Sequence, residues 1–469
     1  MTAFIPRRLA LAAIVAAMPS VGFATATAEE AAKLGGELTP IGAIKAGNAD
    51  GSIPEFTGEA NFPADMKSWT PEFLENLRTQ DTAKLEAEFK KAIKPELLKP
   101  FDTITKANMS KYADKLTDGH KALLNTYKMP LYKTVRTGFF PKEIYEATKK
   151  NATSAKLEGT DLVTGAKIGF PFPIPKSGAE VIWNHRMKYR GNAVTRYNNQ
   201  AIVKSDGSYQ ITKLTEEVKF KYANYKDPAE EGNKYLLMYL SETVSPPRVA
   251  GQLTLAHELI GPDAGSGRAA WIFSPGLGRV NRAPDVGYDN PAVGTDNEQY
   301  FDQIDVFNGS LDRYNWKLIG RKEMYIPYNS YQINSPLVKY ADLLKPFHVN
   351  QDEARYELHR VWVVEATVRD GVRHNFAKRV FYVDEDSWSI AAVDCYDGRG
   401  EMWKVQEAHL ITAPFVPTVT GSPEIIYDLQ STRYFVTALA NEDKISDFHA
   451  SFSDKEFQPS ALKKKSRSK

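Results

Sequence analysis

A chain of 469 residues, 42 % hydrophobic and 25 % charged, is long and apolar enough to bury a sizeable core, which excludes a disordered polypeptide. Its 60 basic and 58 acidic side chains nearly cancel, and no basic patch outside the last few residues is left unmatched, so a nucleic-acid-binding domain is excluded as well. Cys395 is the single cysteine and lies deep in the chain, which leaves neither an internal disulfide framework nor an amino-terminal lipid-bearing thiol. It is read as a small buried hydrophobe rather than a nucleophile.

Residues 1–28 read as a signal peptide. Arg7 and Arg8 precede an apolar run over 9–18, followed by Pro19, Gly22 and the small-residue site Ala26-Thr27-Ala28. The apolar run is about ten residues, half of the roughly twenty that a membrane-spanning helix needs. The paired arginines also admit the twin-arginine route. The expectation is a soluble periplasmic protein of a Gram-negative envelope, with a mature chain starting near Glu29.

Residues 29–177 form a wrap followed by a helical cover. The stretch 35–63 is rich in Gly, Pro, Asn and Asp and has no sustained period, as in an extended loop. Thr70 offers an N-cap with Pro71 behind it, and Phe73, Leu74, Leu77, Leu85, Phe89 and Ile93 follow at helical spacing. Shorter helices are predicted over 107–116, 119–127 and 142–157.

Residues 178–456 change to a period of two and form the sheet domain. Strands are predicted over 180–190, 193–204, 209–225, 235–243, 248–260, 268–273, 279–282 and 314–325. Between 355 and 411, four alternating segments follow at turns RDG, DEDS and DGRG, which is an antiparallel meander. The first of them carries Tyr356, Leu358, Arg360, Trp362, Val364, Ala366 and Val368 on one face, an apolar stripe broken by one arginine. So many strands suffice to curl an open antiparallel sheet into a half-barrel. Residues 427–452 read as mixed strand and helix. The tail 457–469, with Lys463, Lys464, Lys465, Arg467 and Lys469, reads as disordered and solubilising, with attraction to anionic lipid as the alternative.

The motifs of enzymatic chemistry are incomplete in this sequence. His257-Glu258 lacks the second histidine of a zinc protease helix, and His185, His257, His359, His374 and His409 show no metal-ligand spacing. Asp302, Asp305 and Asp312 lack the ligand alternation of a calcium loop. Gly265-Ser266-Gly267 has no phosphate-loop lysine, and no Gly-x-Ser-x-Gly elbow occurs. Glu357, Glu365, Asp394 and Asp397 lie in or beside neighbouring strands, where a converging pair would support acid-base chemistry; the expectation is that they stand on a solvated outer face.

Several long motifs carry a resemblance: LTPIGAIKAGNADGSIPEFTG at 38–58, FPFPIP at 170–175, WNHRMKYRG at 183–191, FNGSLDRYNWKLIGRKEMYIPYNSY at 307–331 and HRVWVVEATVRDGVRHNFAKRVFYVDEDSW at 359–388. Over nearly the whole mature chain it resembles a periplasmic domain-of-unknown-function family labelled outer-membrane lipoprotein-sorting. The resemblance implies a relative in fold of the Lol lipoprotein carriers: mainly β, a large curved antiparallel sheet with helices covering its concave face around an apolar cavity. This chain is more than twice as long as those carriers and lacks the lipobox cysteine of the outer-membrane acceptor, which argues against lipoprotein sorting itself. The implied partners are a hydrophobic ligand, an efflux pump of the resistance-nodulation-division class and an outer-membrane channel-like protein.

The resulting expectation is a periplasmic binding or shuttle protein for a lipid or lipid-like molecule, without cofactor, metal or catalytic residues. A hydrolase using strand carboxylates and a non-catalytic adaptor are the alternatives. A buried methylene contributes about 0.8 kcal/mol, so dispersed apolar side chains suffice to hold an acyl chain. The candidates for lining the cavity are Trp183, Trp271, Phe273, Trp316, Trp362 and Trp388. Arg360 is expected either to tie down the cover or to meet a head group.

Overall fold

The computed structural model describes residues 26–58, 81–230, 232–260, 267–283 and 288–466. Most of the signal segment and the predicted helix start at Thr70, Pro71, Phe73, Leu74 and Leu77 lie outside the described residues.

Short elements come first: α1 (Ala28–Ala31), α2 (Thr82–Ala92), β1 (Asp102–Ile104), α3 (Asp118–Leu123), β2 (Met129–Tyr132), α4 (Lys142–Ser154), β3 (Lys156–Glu158), β4 (Leu162–Thr164) and α5 (Gly178–Arg186). Side-chain caps start four of the helices, and Thr27 accepts from the Glu30 N–H at 3.1 Å before α1. Asp81 accepts from the Lys84 N–H at 3.1 Å, Thr117 from that of His120 at 2.9 Å, and Ser177 from that of Glu180 at 3.3 Å. Helices occur near the predicted 119–127 and 142–157, among four short strands, but 180–190 is not a strand. Every residue of α5 is buried, so the helix shows no polar stripe and its period is hidden from sequence reading.

The rest is two antiparallel meanders in series. The first contains β5 (Ala193–Val203), β6 (Tyr209–Phe220), β7 (Tyr235–Ser245), β8 (Leu253–Leu259), β9 (Arg268–Ser274) and β10 (Arg279–Ala283). The second contains β11 (Tyr314–Pro327), then α6 (Tyr340–Leu343), β12 (Tyr356–Val368), β13 (Lys378–Asp384), β14 (Ile390–Tyr396), β15 (Met402–Ala413), β16 (Thr418–Asp428) and β17 (Tyr434–Leu439). β17 pairs antiparallel with β5, with Tyr434 facing Val203, so the two meanders form one sheet with β10 and β11 at its ends. β2 joins β12 in parallel beyond the end of β13, with Leu131 facing Tyr356, and β1 pairs β2.

The fold is therefore mainly β, one large and almost wholly antiparallel sheet. Its pairing begins before the predicted boundary at 178, because β1 and β2 belong to it. Two of the helices before the sheet pack on the second meander. α3 packs against β14 and β15, and α5 against β11 and β12. The Asp394 carboxylate accepts the N–H groups of Asp118 and Gly119 at 3.1 and 3.0 Å, which places an anion at the start of α3.

The described part of the basic tail, to residue 466, is ordered, contrary to expectation. α7 (Pro459–Lys465) lies against β8, β9 and β10, and Leu462 and Phe457 are buried with Met238, Leu240, Leu253, Leu255 and Phe273. Its lysines hid one apolar anchor. Leu462→Ala should cost about 2–4 kcal/mol of unfolding free energy in urea titration, whereas a disordered tail would show no change.

Candidate functional site: a cleft along the first meander

Antiparallel register sorts the first meander into rows of side chains that share a face. Arg196 faces Glu216, which faces Ser241, then Thr254, then Ile272; one pair along, Val218 faces Tyr239, then Ala256, then Ala270; one further, Phe220 faces Leu237, then Glu258, then Arg268. All of these side chains line a single cleft of about 260 Å³, together with Thr420 and Glu424 of β16 and Thr437 of β17. Strands from β16 to β9 reach one cavity only because the sheet curves around it. The opposite rows, such as Glu217, Leu240, Leu255 and Trp271, look away from it.

A segment over 292–308 roofs the cleft, and buried cations hold it by its backbone. Arg268 donates to the carbonyls of Phe301 and Asn308 at 3.3 and 3.0 Å, and Lys404 to those of Asn297 and Glu298 at 3.0 and 2.9 Å. Asp302 is paired with His374 at 2.9 Å and with Arg379 at 2.5 Å. Asp305 is paired with Lys188 at 2.9 Å and with Arg190. Burial pushes the Asp305 carboxyl up, but Arg190 and Lys188 outweigh it and hold the group well below the usual carboxylate range.

Within the wall the charges cancel locally. Arg196 pairs with Glu216 at 2.9 Å and Arg268 with Glu258 at 2.5 Å. Glu216 also accepts from Tyr239 Oη at 2.7 Å and Asn198 Nδ2 at 2.9 Å. What faces the cavity between these pairs is apolar or neutral: Leu214, Val218, Tyr239, Ala256, Ala270 and Ile272. Glu424 is the exception, a buried carboxyl accepting the Val306 N–H at 3.1 Å, which burial and the neighbouring Asp305 charge push up to about 7.

None of the seven side chains singled out from the sequence lines this cleft. Trp271 packs on His257 at 5.0 Å on the opposite face, and Phe273 lies there under α7. Trp183 on α5 donates to the Thr160 carbonyl at 2.8 Å, and Trp316 to that of Leu311 at 2.8 Å. Trp362 and Trp388 stack on each other at 6.0 Å and 12°, with Arg321 over the Trp362 ring at 4.1 Å. Trp388, fully buried, donates to the Ile41 carbonyl at 3.0 Å. Arg360 donates to the Ala46 carbonyl at 3.0 Å and lies 3.5 Å from Glu385, so it ties the amino-terminal wrap to the sheet.

Sequence reading also missed a buried ion cluster next to these tryptophans, because Asp384-Glu385-Asp386-Ser387 looks like a polar turn. All four residues are buried. Arg136 forms a bidentate pair with Asp386 at 2.8 and 2.7 Å and donates to the Ile44 carbonyl at 2.8 Å. Arg321 lies 3.1 Å from Glu385. Burial and the Asp386 charge push Asp384 up to about 6 and Glu385 up to about 7. His359 lies 3.2 Å from Glu357 and 3.8 Å from Asp384. Donor atoms of His359, Asp384 and Asp386 fall within 4.8 Å of one another, but both Asp386 oxygens are already held by Arg136, so the group acts as an ion-pair knot on the wrap.

The four strand carboxylates do not converge on one pocket, nor do they share a solvated face. Glu357 and Asp394 are fully buried. Glu357 is held by Arg355 and by Asn329 at 2.9 Å, and Asp394 by the start of α3. Asp397 closes the turn before Glu401, accepting from the Arg399 N–H at 2.9 Å. Glu365 is half-buried on β12.

The chain belongs to the family described as protein of unknown function, DUF1329, whose model matches residues 103–463. It is 42 % identical over 447 residues to the uncharacterized protein PA3922 of Pseudomonas aeruginosa, covering 94 % of each chain. Among solved structures it is similar to a DUF1329 family protein from Desulfovibrio piger, with TM-score 0.40, 15 % identity and 58 % of this chain and 92 % of that one covered. It is also similar to the LolA superfamily protein NE2245 from Nitrosomonas europaea, with TM-score 0.36, 12 % identity and 61 % and 98 % covered.

Glu424 gives the cleft a pH signature. A carboxyl whose folded pKa of about 7 lies above its unfolded value costs stability as it ionises, so the loss accrues as pH rises from the unfolded value to about 7 and is complete above. Glu424→Gln keeps the acceptor and cannot ionise. Its unfolding free energy, measured in urea at pH 5 and pH 8, should gain on the wild type by on the order of 2 kcal/mol at the higher pH.

Proposed function

We propose that the protein binds and carries a hydrophobic or amphipathic molecule of single-chain size in the bacterial envelope, without cofactor or covalent chemistry. One observation carries this reading: a curved sheet wall and a pinned roof bound a cleft in which Arg196 and Arg268 are neutralised by Glu216 and Glu258 and the rows between them are apolar or neutral. Such a wall gives little purchase to a free ion or a sugar phosphate, and it removes apolar surface of a ligand from water at about 25 cal/mol per Å². The volume of about 260 Å³ sits just below that of ordinary small-molecule pockets. It suits one chain or ring system better than the several acyl chains of a lipoprotein.

An envelope location is supported by the signal-like residues 1–28 and is in keeping with the described residues, in which no helix is long and apolar enough to cross a membrane. Glu357 and Asp394, the two buried carboxylates among those that would serve a hydrolase, are occupied by structural hydrogen bonds and ion pairs, which favours carriage over catalysis.

The test is ligand identification followed by obstruction. Native mass spectrometry of protein taken from its own envelope, with lipid extraction, should yield a bound hydrophobic species, and a fluorescent fatty acid should bind at micromolar concentration. Ala256→Phe, placed in the middle row of the wall, should weaken that binding at least about tenfold while shifting stability by less than about 2 kcal/mol. Trp362→Asp should show the opposite order, since it buries a charge in a packed stack away from the cleft and should unfold the chain before it changes affinity. Wild-type protein that takes up no acyl chain, sterol or other hydrophobic probe would end the proposal.

A further inference from the structure

Three hairpin tips leave the same end of the first meander. β5 and β6 are joined through 204–208, β7 and β8 through 246–252, and β9 and β10 through 275–278. Register sets them side by side: Val203 faces Tyr209, Lys213 faces Ser245, Glu242 faces Leu253, Leu253 faces Phe273, and Ser274 faces Arg279. At or beside each tip stands one exposed large apolar side chain, Tyr209 at 40 %, Val244 at 51 % and Leu277 at 61 %. A fourth, Phe347 at 44 %, follows Pro346, which lies against Gly207 of the first tip.

The charge at this end leans basic. Arg248 and Arg279 stand exposed at the second and third turns, whose residues 246–252 and 275–279 hold no Asp or Glu; Lys204 and Asp206 cancel in the first tip, and Glu242 lies further back on its strand. Together the tips present apolar side chains between arginines, and the cleft reaches the same place, since Pro246, Arg248, Val249 and Gln252 line it.

We propose that this end docks on the surface of a lipid bilayer with anionic head groups, the apolar side chains entering the interfacial region and the arginines meeting phosphates. Separate turns that each expose one apolar residue suit a fluid interface, which closes around scattered side chains; a protein partner needs a contiguous and complementary patch. The two exposed arginines add attraction to an anionic leaflet, and that attraction is screened by salt. The inference does not require the cleft to carry a ligand.

Vesicle flotation tests it. The mature protein should float with vesicles of phosphatidylcholine containing roughly a third phosphatidylglycerol at least about tenfold more than with phosphatidylcholine alone, and should be released by high salt. The double variant Val244→Asp, Leu277→Asp should lose flotation, and so should Arg248→Ser, Arg279→Ser. All four positions are exposed, so thermal melts should match the wild type. Protein that stays at the bottom with anionic vesicles, or variants that float as well as the wild type, would overturn the proposal. So would a wild-type dimer in sedimentation that Val244→Asp, Leu277→Asp dissociates, because the tips would then serve self-association.

Discussion

The pairing of β17 with β5 is the constraint on which the architecture depends. It joins the last strand of the second meander to the first strand of the other; without it each half would expose a further strand edge, a template for misassembly. The ladder is irregular between Val436 and Leu439, where Ala438 takes a positive φ of 58°. Asn198 repairs the gap, its Oδ1 accepting the Ala438 N–H at 2.8 Å. The same side chain donates to Glu216, which also holds Tyr239, so the seam between the meanders is continuous with the wall of the cleft.

Buried ions do much of the remaining positioning. Arg268, Lys404, Arg379 and Lys188 fasten the roof, while Arg136, Arg321 and Arg360 fasten the amino-terminal wrap to the turn at 384–387. Desolvating such groups offsets most of their Coulombic gain, so their contribution to net stability is small against that of the apolar clusters. Their geometric effect is larger, because a guanidinium or ammonium bonded to several backbone carbonyls fixes a loop that has no regular hydrogen-bond ladder of its own.

Most of the fold was legible, and the exceptions have physical causes. Strands from 193 to 282 and from 314 to 411 alternate strongly enough to be read directly, with their ends displaced by a few residues. Gly178–Arg186 was misread because burial on every side erases amphipathic contrast, and the tail because the lysines of α7 outnumber its one buried leucine. The turn Asp384-Glu385-Asp386-Ser387 has the composition of a solvated loop, and only the distant Arg136, Arg321 and Arg360 make it an interior one. The site was the least legible part. A row such as Arg196, Glu216, Ser241, Thr254 and Ile272 takes one residue from each of five strands, so nothing adjacent in sequence marks it. Tryptophans drew attention instead, and Trp183, Trp316, Trp362 and Trp388 pack in the second half of the sheet while Trp271 lies on the outer face of the first.

The two halves of the sheet thus divide their work by what covers them. The second meander lies under helices and the wrap, and its inner rows close into the largest apolar cluster, with Phe376, Phe381 and Trp388 fully buried. The first meander lies under an irregular segment, and a loop cannot fill a concave wall as a helix does, because it lacks a regular stripe of side chains to interdigitate. Space therefore persists beneath it. The roof is held at Asn297, Glu298, Phe301 and Asn308, whereas Val293, near its start, is 55 % exposed and lines the cleft. The held stretch fixes the roof over the wall, and the start of the roof is its exposed part.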